Sequence, residues 1–134
     1  KMKSIHVSGK RKRAIARATI RSGKGIVKVN NIILDFYEPE LSRLKLMEPL
    51  IIAGDLINKV NIKVNVCGGG ISSQADASRL AIAKSLVEFS KNDKLKEDFL
   101  NYDRNLLVAD SRFKESSKPN RHGQARAKRQ KSYR

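Results

Sequence analysis

Positive charge is gathered at the two ends of this chain, and its distribution limits which part can fold. Residues 1–28 contain ten Lys or Arg and no acid, whereas residues 29–111 contain ten bases and twelve acids. Residues 112–134 contain nine bases, one acid and only four apolar side chains. So few apolar groups cannot offset the entropy lost on ordering that segment. We therefore predict one globular domain over residues 1–111 and an extended basic tail over 112–134 that is disordered until a partner holds it.

The charge also indicates the class of partner. The 134 residues carry a net charge of +16 at pH 7. A surface kept charged only for solubility would mix both signs, so the segregation of charge favours a polyanion, and nucleic acid is the densest one. Cys67 is the only cysteine, which excludes an internal disulfide and favours a reducing compartment. No apolar run approaches the roughly 20 residues of a spanning helix and no signal sequence opens the chain, so we expect a soluble intracellular protein with no membrane partner.

Strict alternation of side chains predicts the strands. Residues 13–21 alternate small apolar side chains with arginines, and residues 60–67 alternate valine and isoleucine with polar side chains. The turn at 22–25 predicts that residues 26–29 return beside the first strand as a hairpin. The short apolar run at 106–108 predicts a final strand.

Helical spacing and capping residues predict the helices between these strands. Pro39 suits the first turn of a helix, Pro49 is expected to break or restart it, and Gly54 is expected to close its second piece. Ser72 or Ser73 suits the N-cap of the next helix, with Asp76 in a position like that of a capping box, and Asp93 suits the cap of a third helix. The order β-β-α-β-α-α-β predicts an α+β or two-layer α/β sandwich, in which helices back one sheet.

A triple glycine is the first candidate site. Gly68, Gly69 and Gly70 stand between a predicted strand and a predicted helix, where backbone amides and the helix dipole can receive a phosphate. The loop is neither a P-loop nor a dinucleotide-binding motif. Three interpretations stay open: a contact to an RNA phosphate, a tight turn that needs small residues, and, less favoured, the nucleotide site of an enzyme.

Catalytic and metal-binding patterns are not found. His6 and His122 are far apart, and a single cysteine offers no metal-ligand spacing. The acids have neither a partnering histidine nor a nucleophile nearby in the sequence. We predict no catalytic activity, no metal and no cofactor, and we expect the acids to pair with neighbouring lysines on solvated helix faces.

The strongest internal basic cluster is Lys10-Arg11-Lys12-Arg13, which runs into the arginine face of the first predicted strand, with Arg17 and Arg21. Cations on a rigid strand suit phosphate contacts along a folded nucleic acid, although a localisation signal or a solvated turn would also explain the cluster. Near the other end, Tyr133 and Arg134 offer a stacking ring and a guanidinium for RNA. A free DNA-binding protein is a further alternative, but the predicted helix over 73–90 offers only Gln74, Arg79 and Lys84 for recognition.

Several separated motifs of the chain together resemble one known family, the universal small-subunit ribosomal protein nine. They are Ser8-Gly9-Lys10-Arg11-Lys12, Ala14-Ile15-Ala16-Arg17-Ala18, the triple glycine with Gln74-Ala75-Asp76-Ala77, Leu106-Leu107-Val108-Ala109-Asp110-Ser111-Arg112, and the segment from Ala125 to Arg134. The resemblance spans nearly the whole chain. The ending Lys128-Arg129-Gln130-Lys131-Ser132-Tyr133-Arg134 is similar to archaeal and eukaryotic members, whereas bacterial members typically end in Ser-Lys-Arg and carry glycine where Asp76 stands.

The resemblance implies a fold like that of the second domain of ribosomal protein five, with a left-handed β-α-β crossover against the usual right-handed rule. It also implies a cytoplasmic, ribosome-bound protein that contacts the 3′ major domain of rRNA in the head of the small subunit, neighbouring head proteins and peptidyl-site tRNA. No homo-oligomer is expected. Combined with the basic cluster and the glycine loop, it predicts rRNA contacts at Lys10, Arg11, Lys12, Arg13, Arg17, Arg21, Gly68, Gly69, Gly70, Gln74, Arg112, Lys114, Lys118, Arg121, Arg126, Lys128 and Arg129. The tRNA contacts that it implies are Lys131, Tyr133 and Arg134.

Overall fold

A computed structural model describes residues 4–112 and shows a mixed five-stranded sheet with three helices. The strands are β1 (Ser4–Arg11), β2 (Ala14–Ser22), β3 (Val27–Val29), β4 (Ile32–Ile33) and β5 (Val60–Cys67). The helices are α1 (Glu40–Ala53), α2 (Ile71–Ser90) and α3 (Asp93–Tyr102), and short 3-10 turns lie at Leu34–Phe36, Gly54–Lys59 and Arg104–Leu106. The predicted α+β class is confirmed.

The strands lie in the order β1-β2-β5-β3-β4, with β2 antiparallel to both of its neighbours and β3 parallel to β5. The predicted strands over 13–21 and 60–67 are therefore present as β2 and β5. Each buries every second side chain, and these are small in β2 and branched in β5. That buried face packs against α2, which lies across β1, β2 and β5. A crossover that contains α1 connects β3 to β5.

Two strand predictions are wrong, and one strand was not predicted. The hairpin predicted from 13–21 to 26–29 does not form, because β5 inserts between β2 and β3; neighbours in sequence are neighbours in a sheet only as a tendency. β1 was not predicted, since two of its helix-facing positions are Gly9 and Arg11 rather than aliphatic residues. The apolar residues at 106–108 form no strand: residues 104–106 are a 3-10 turn that buries Leu106.

The observed helix boundaries differ in part from those that the sequence predicts. α1 continues through Pro49, where buried neighbours such as Leu46 and Leu50 anchor the helix and offset the hydrogen bond that proline cannot donate. Gly54 ends α1 as predicted, with a φ of 64°. α2 begins two or three residues earlier than its serines suggested, with Gly70 as N-cap, and no capping box forms.

The third helix is capped by the residue before the one predicted. The Asn92 side chain accepts a hydrogen bond from the amide of Lys94 at 3.0 Å, so Asp93 is the first helical residue rather than the cap. Asn and Asp are equivalent in this role, and the sequence alone does not separate two adjacent candidates.

Two buried serines of α2 lead to a stability prediction. The Ser78 hydroxyl is buried without a hydrogen-bond partner among the described residues, whereas the Ser85 hydroxyl donates to the Ile82 carbonyl at 2.7 Å. We expect Ser78→Ala to leave the free energy of unfolding unchanged or raise it by up to about 1 kcal/mol, because an unsatisfied hydroxyl is removed. Ser85→Ala is the matched control. We expect its free energy of unfolding to be lower than that of Ser78→Ala, because it removes a hydroxyl that is hydrogen-bonded. Urea denaturation measures both, and a clear loss of stability in Ser78→Ala alone would contradict this account.

Candidate nucleic-acid interface

The sheet has one face that the helices do not cover, here called the open face. Alternation along the strands places every second side chain there, where most are exposed or half-exposed. Cross-strand pairing sets Arg17 opposite Asn65 and Thr19 opposite Lys63. The open face consists of Ser4, His6, Ser8, Lys10, Ile15, Arg17, Thr19, Arg21, Lys28, Ile33, Asn61, Lys63, Asn65 and Cys67.

The open face carries cations and neutral polar groups but neither aspartate nor glutamate. Its five cations come from four strands: Lys10 from β1, Arg17 and Arg21 from β2, Lys28 from β3 and Lys63 from β5. Within residues 4–112, Arg17, Arg21, Lys28 and Lys63 make no ion pair with a carboxylate. Side chains of one sign on a rigid sheet raise the local concentration of an anion and can follow a sugar–phosphate backbone.

Only part of this face was predictable from the sequence. Arg17 and Arg21, predicted to share one side of a strand, do lie exposed on the same face. Lys28 and Lys63 were missed, although they lie opposite each other on β3 and β5. The alternation over 60–67 marked Lys63 as outward, but only the insertion of β5 beside β2 brings that lysine next to the β2 arginines.

The β1–β2 turn adds a second group of cations at one end of the sheet. Lys10, Lys12 and Arg13 are exposed there, and Lys12 has a positive φ of 53°. Arg11 differs, since its side chain is only 17% exposed. Its guanidinium lies 3.5 Å from Asp110 and 3.9 Å from Asp76, so much of its charge is balanced within the domain.

Asp110 also holds the start of the basic tail. The Arg112 guanidinium donates to both carboxylate oxygens of Asp110, the shortest of the three contacts being 2.7 Å. These hydrogen bonds, together with the nearby charges of Arg112 and Arg11, hold the pKa of Asp110 well below its usual range. Arg11 also donates to the Arg112 carbonyl at 3.5 Å, so the tail begins beside the β1–β2 turn.

The triple glycine packs against that same turn. Gly68 and Gly69 have φ values of 79° and 65°, and a Cβ on Gly68 would lie 2.5 Å from the Arg13 carbonyl oxygen. The Gln74 amide donates to the Gly68 carbonyl at 3.1 Å and ties the loop to α2. The tight-turn interpretation therefore accounts for Gly68 and Gly69. Gly70, the N-cap of α2, has open space around it.

The basic side chains of α2 are used inside the domain. Arg79 is 11% exposed and pairs with Glu48 of α1 and with Asp103 after α3. Lys84 donates to the Ser8 carbonyl at 3.1 Å. This helix therefore does not present the row of free polar side chains that reading a DNA groove requires. The acids of this region pair mainly with arginines from other elements, rather than with neighbouring lysines as expected.

The remaining predicted contacts lie outside the described residues: Lys114, Lys118, Arg121, Arg126, Lys128, Arg129, Lys131, Tyr133 and Arg134. In the described part of the chain, no cluster of His, Cys, Asp or Glu side chains is arranged to hold a metal ion. None of the helices between residues 4 and 112 combines the length and apolarity that crossing a membrane requires.

A helix-backed sheet with a cationic face that carries no carboxylate is the arrangement expected of a domain that presents a sheet, rather than a recognition helix, to a polyanion. Comparisons with known proteins narrow the class. The model of a family described as ribosomal protein S9/S16 matches residues 9–134. A Methanococcus maripaludis protein named small ribosomal subunit protein uS9 is 49% identical over 134 residues, covering 99% of this chain and 100% of the relative. A protein of the same name from Methanothrix thermoacetophila is 50% identical over 133 residues, with the same coverage.

The chain therefore belongs to the ribosomal protein S9/S16 family. The resemblance drawn from the motifs, including its archaeal character, is confirmed. Proteins of this family are structural and not enzymes, so the alternative of a nucleotide-using enzyme built on the triple glycine is set aside.

Proposed function

We propose that this protein is a structural component of the small ribosomal subunit and grips rRNA through its open face and β1–β2 turn. The observation that carries the proposal is the set of five cations on the open face, without one carboxylate among them. Neutral hydrogen-bonding groups stand between these cations, as in the cross-strand pair of His6 and Thr19, whose side chains are 3.0 Å apart. Cations interleaved with neutral hydrogen-bonding groups suit contacts to the phosphates and riboses of RNA.

The finer proposal follows the family resemblance. The rRNA contacted belongs to the 3′ major domain in the subunit head, and the tail beyond Arg112 threads between RNA elements so that Lys131, Tyr133 and Arg134 reach peptidyl-site tRNA. The chain works in the cytoplasm, on the ribosome. The β3-to-β5 crossover is left-handed. Support for the tail comes from its nine bases and from its start beside the cationic β1–β2 turn.

Neutralising two central cations tests the open face. We expect the double variant Arg17→Gln, Lys63→Gln to bind a small-subunit head rRNA fragment roughly tenfold or more weakly at about 0.1 M salt. The slope of log affinity against log salt should fall by roughly 1.5 to 2, since two phosphate contacts are lost. The control, Lys94→Gln with Lys96→Gln, removes the same charge from exposed positions of α3. Equal losses in both variants would show that only net charge matters and would contradict the proposed interface.

Shortening the chain tests the tail. Deleting residues 130–134 should leave incorporation into the small subunit unchanged but make peptidyl-site tRNA dissociate several-fold faster, because two cations and a stacking ring leave the site. Filter binding on purified subunits measures the retention. A full-length variant with Lys131→Gln and Arg134→Gln separates charge from length. Retention equal to that of the intact protein in both variants would disprove the tRNA contact.

A further inference from the structure

The β3–β4 end of the domain has an apolar surface that adjoins the open face along β3 and β4. Seven of the eleven large apolar residues exposed in the described region fall between residues 26 and 51. On α1, Leu41, Leu44 and Ile51 lie along one side, with exposed fractions of 76%, 49% and 72%. A groove of about 550 Å³ joins Met47 and Ile51 of α1 to the β3–β4 edge. This apolar patch consists of Ile26, Ile33, Leu41, Leu44, Met47 and Ile51.

The clustering of these side chains distinguishes the patch from ordinary surface exposure. Single apolar residues on a surface are common, but a contiguous group spanning three turns of a helix and a neighbouring strand edge marks a contact site. Leu46 and Leu50 fill the core side of α1, and Met47 packs partly against the core. Leu41, Leu44 and Ile51 remain exposed and are not used in that packing. In the isolated chain these apolar side chains are exposed to water, which is unfavourable. Covering them with another apolar surface lowers the free energy.

The charge around the patch excludes RNA as the favoured occupant. Residues 32–56 carry five acids and two bases in a chain whose net charge is +16. Both bases are engaged within the domain, Arg43 with Glu40 and Lys45 with Asp76. Of the acids, Glu48 pairs with Arg79, while Asp35, Glu38 and Asp55 make no ion pair among the described residues. The residues that line the groove include one acid, Asp35, and one cation, Lys28. Carboxylates repel phosphates, whereas a protein segment that carries lysine or arginine beside aliphatic side chains complements both the rim and the groove.

We propose that the apolar patch is the docking surface for a basic protein segment, supplied by another protein of the small subunit, whose aliphatic side chains enter the groove between α1 and the β3–β4 edge. The inference rests on the proposed place of this chain in that subunit. It gives two adjoining surfaces of the domain separate partners, which meet where Lys28 pairs with Ile33 at the β3–β4 edge: the open face takes RNA, and the apolar patch takes protein.

Site-specific photocrosslinking on the complete chain tests this inference. Benzoyl-phenylalanine in place of Ile51, in small subunits reconstituted from identified components, should crosslink to a peptide of another subunit protein that contains both aliphatic and basic residues. The same probe in place of Lys63 reports on the open face and should crosslink to rRNA. Crosslinks from position 51 to rRNA, to a second copy of this chain, to its own residues 112–134, or to nothing while position 63 reacts would each overturn the inference. A protein crosslink at 51 with no RNA crosslink at 63 would instead contradict the proposed rRNA interface.

Paired substitutions at Leu44 test the charge argument. With the probe at position 51, Leu44→Lys should lower the yield of the protein crosslink about tenfold, because it removes apolar contact and places a cation against a basic partner. Leu44→Glu should lower it less, since the added charge attracts that partner. Leu100→Lys, on α3, is the control and should change nothing. Equal losses for lysine and glutamate at position 44 would refute a basic partner.

Discussion

Gly9→Ala is expected to cost about 3 kcal/mol of the free energy of unfolding, the upper end of what a single added methyl does in a packed interior. Gly9 is buried in β1, and a Cβ there would lie 2.5 Å from the Ala77 carbonyl oxygen and 2.9 Å from the Ala81 amide nitrogen. Both atoms belong to the backbone of α2, so no side-chain rotation relieves the overlap. The helix has to move off the sheet, and its contacts with the buried alanines of β2 weaken together.

Urea denaturation followed by circular dichroism measures the loss. Ser8→Ala is the control, because residue 8 is the exposed neighbour on the same strand and its carbonyl, not its side chain, binds Lys84. We expect Ser8→Ala to remain within about 0.5 kcal/mol of the parent. If Gly9→Ala proved as harmless as Ser8→Ala, the close approach of α2 to β1 would be disproved.

The second large effect is expected at Gly68. Gly68→Ala combines a positive φ of 79° with a Cβ 2.5 Å from the Arg13 carbonyl oxygen, and we expect a loss of about 2 to 4 kcal/mol. Gly70→Ala, two residues later, meets nothing within 4 Å. As a helix N-cap it should lose only roughly 0.5 to 1 kcal/mol, because glycine is a better N-cap than alanine.

The pair also separates the two remaining interpretations of the triple glycine. If steric fit at the tight turn is its role, Gly68→Ala strongly destabilises the free protein, and Gly70→Ala costs only its small N-cap contribution and leaves rRNA affinity unchanged. If the helix start contacts a phosphate, Gly70→Ala lowers rRNA affinity although the protein stays folded, because a methyl group intrudes where the anion approaches. Thermal unfolding and filter binding at one salt concentration distinguish these outcomes. A stable Gly68→Ala variant would contradict the packing described here.

Much of the fold was predictable from local patterns, and the failures share a cause. β2 and β5 have strict period-two alternation, which depends only on neighbouring residues and the pleat of a strand. β1 was not predicted because its helix-facing positions include Gly9 and Arg11. Glycine at position 9 lets α2 pack close to the strand, and Arg11 pairs with Asp76 and Asp110. Pro49 stays within α1 because of what the helix packs on. In each case a contact distant in sequence overrides the local preference.

By itself, the sequence determined the α+β class, the two clearest strands, the cationic ends around a nearly neutral middle, and the family. These could be predicted because charge, periodicity and motifs are properties of residues close together in the chain. Only the tertiary structure decided which cations act as one surface. Inserting β5 between β2 and β3 brings Lys28 and Lys63 beside Arg17 and Arg21, while Arg11 and Arg79 turn inward to carboxylates. A strand's pattern fixes which side chains point outward, but long-range pairing fixes which neighbours they meet.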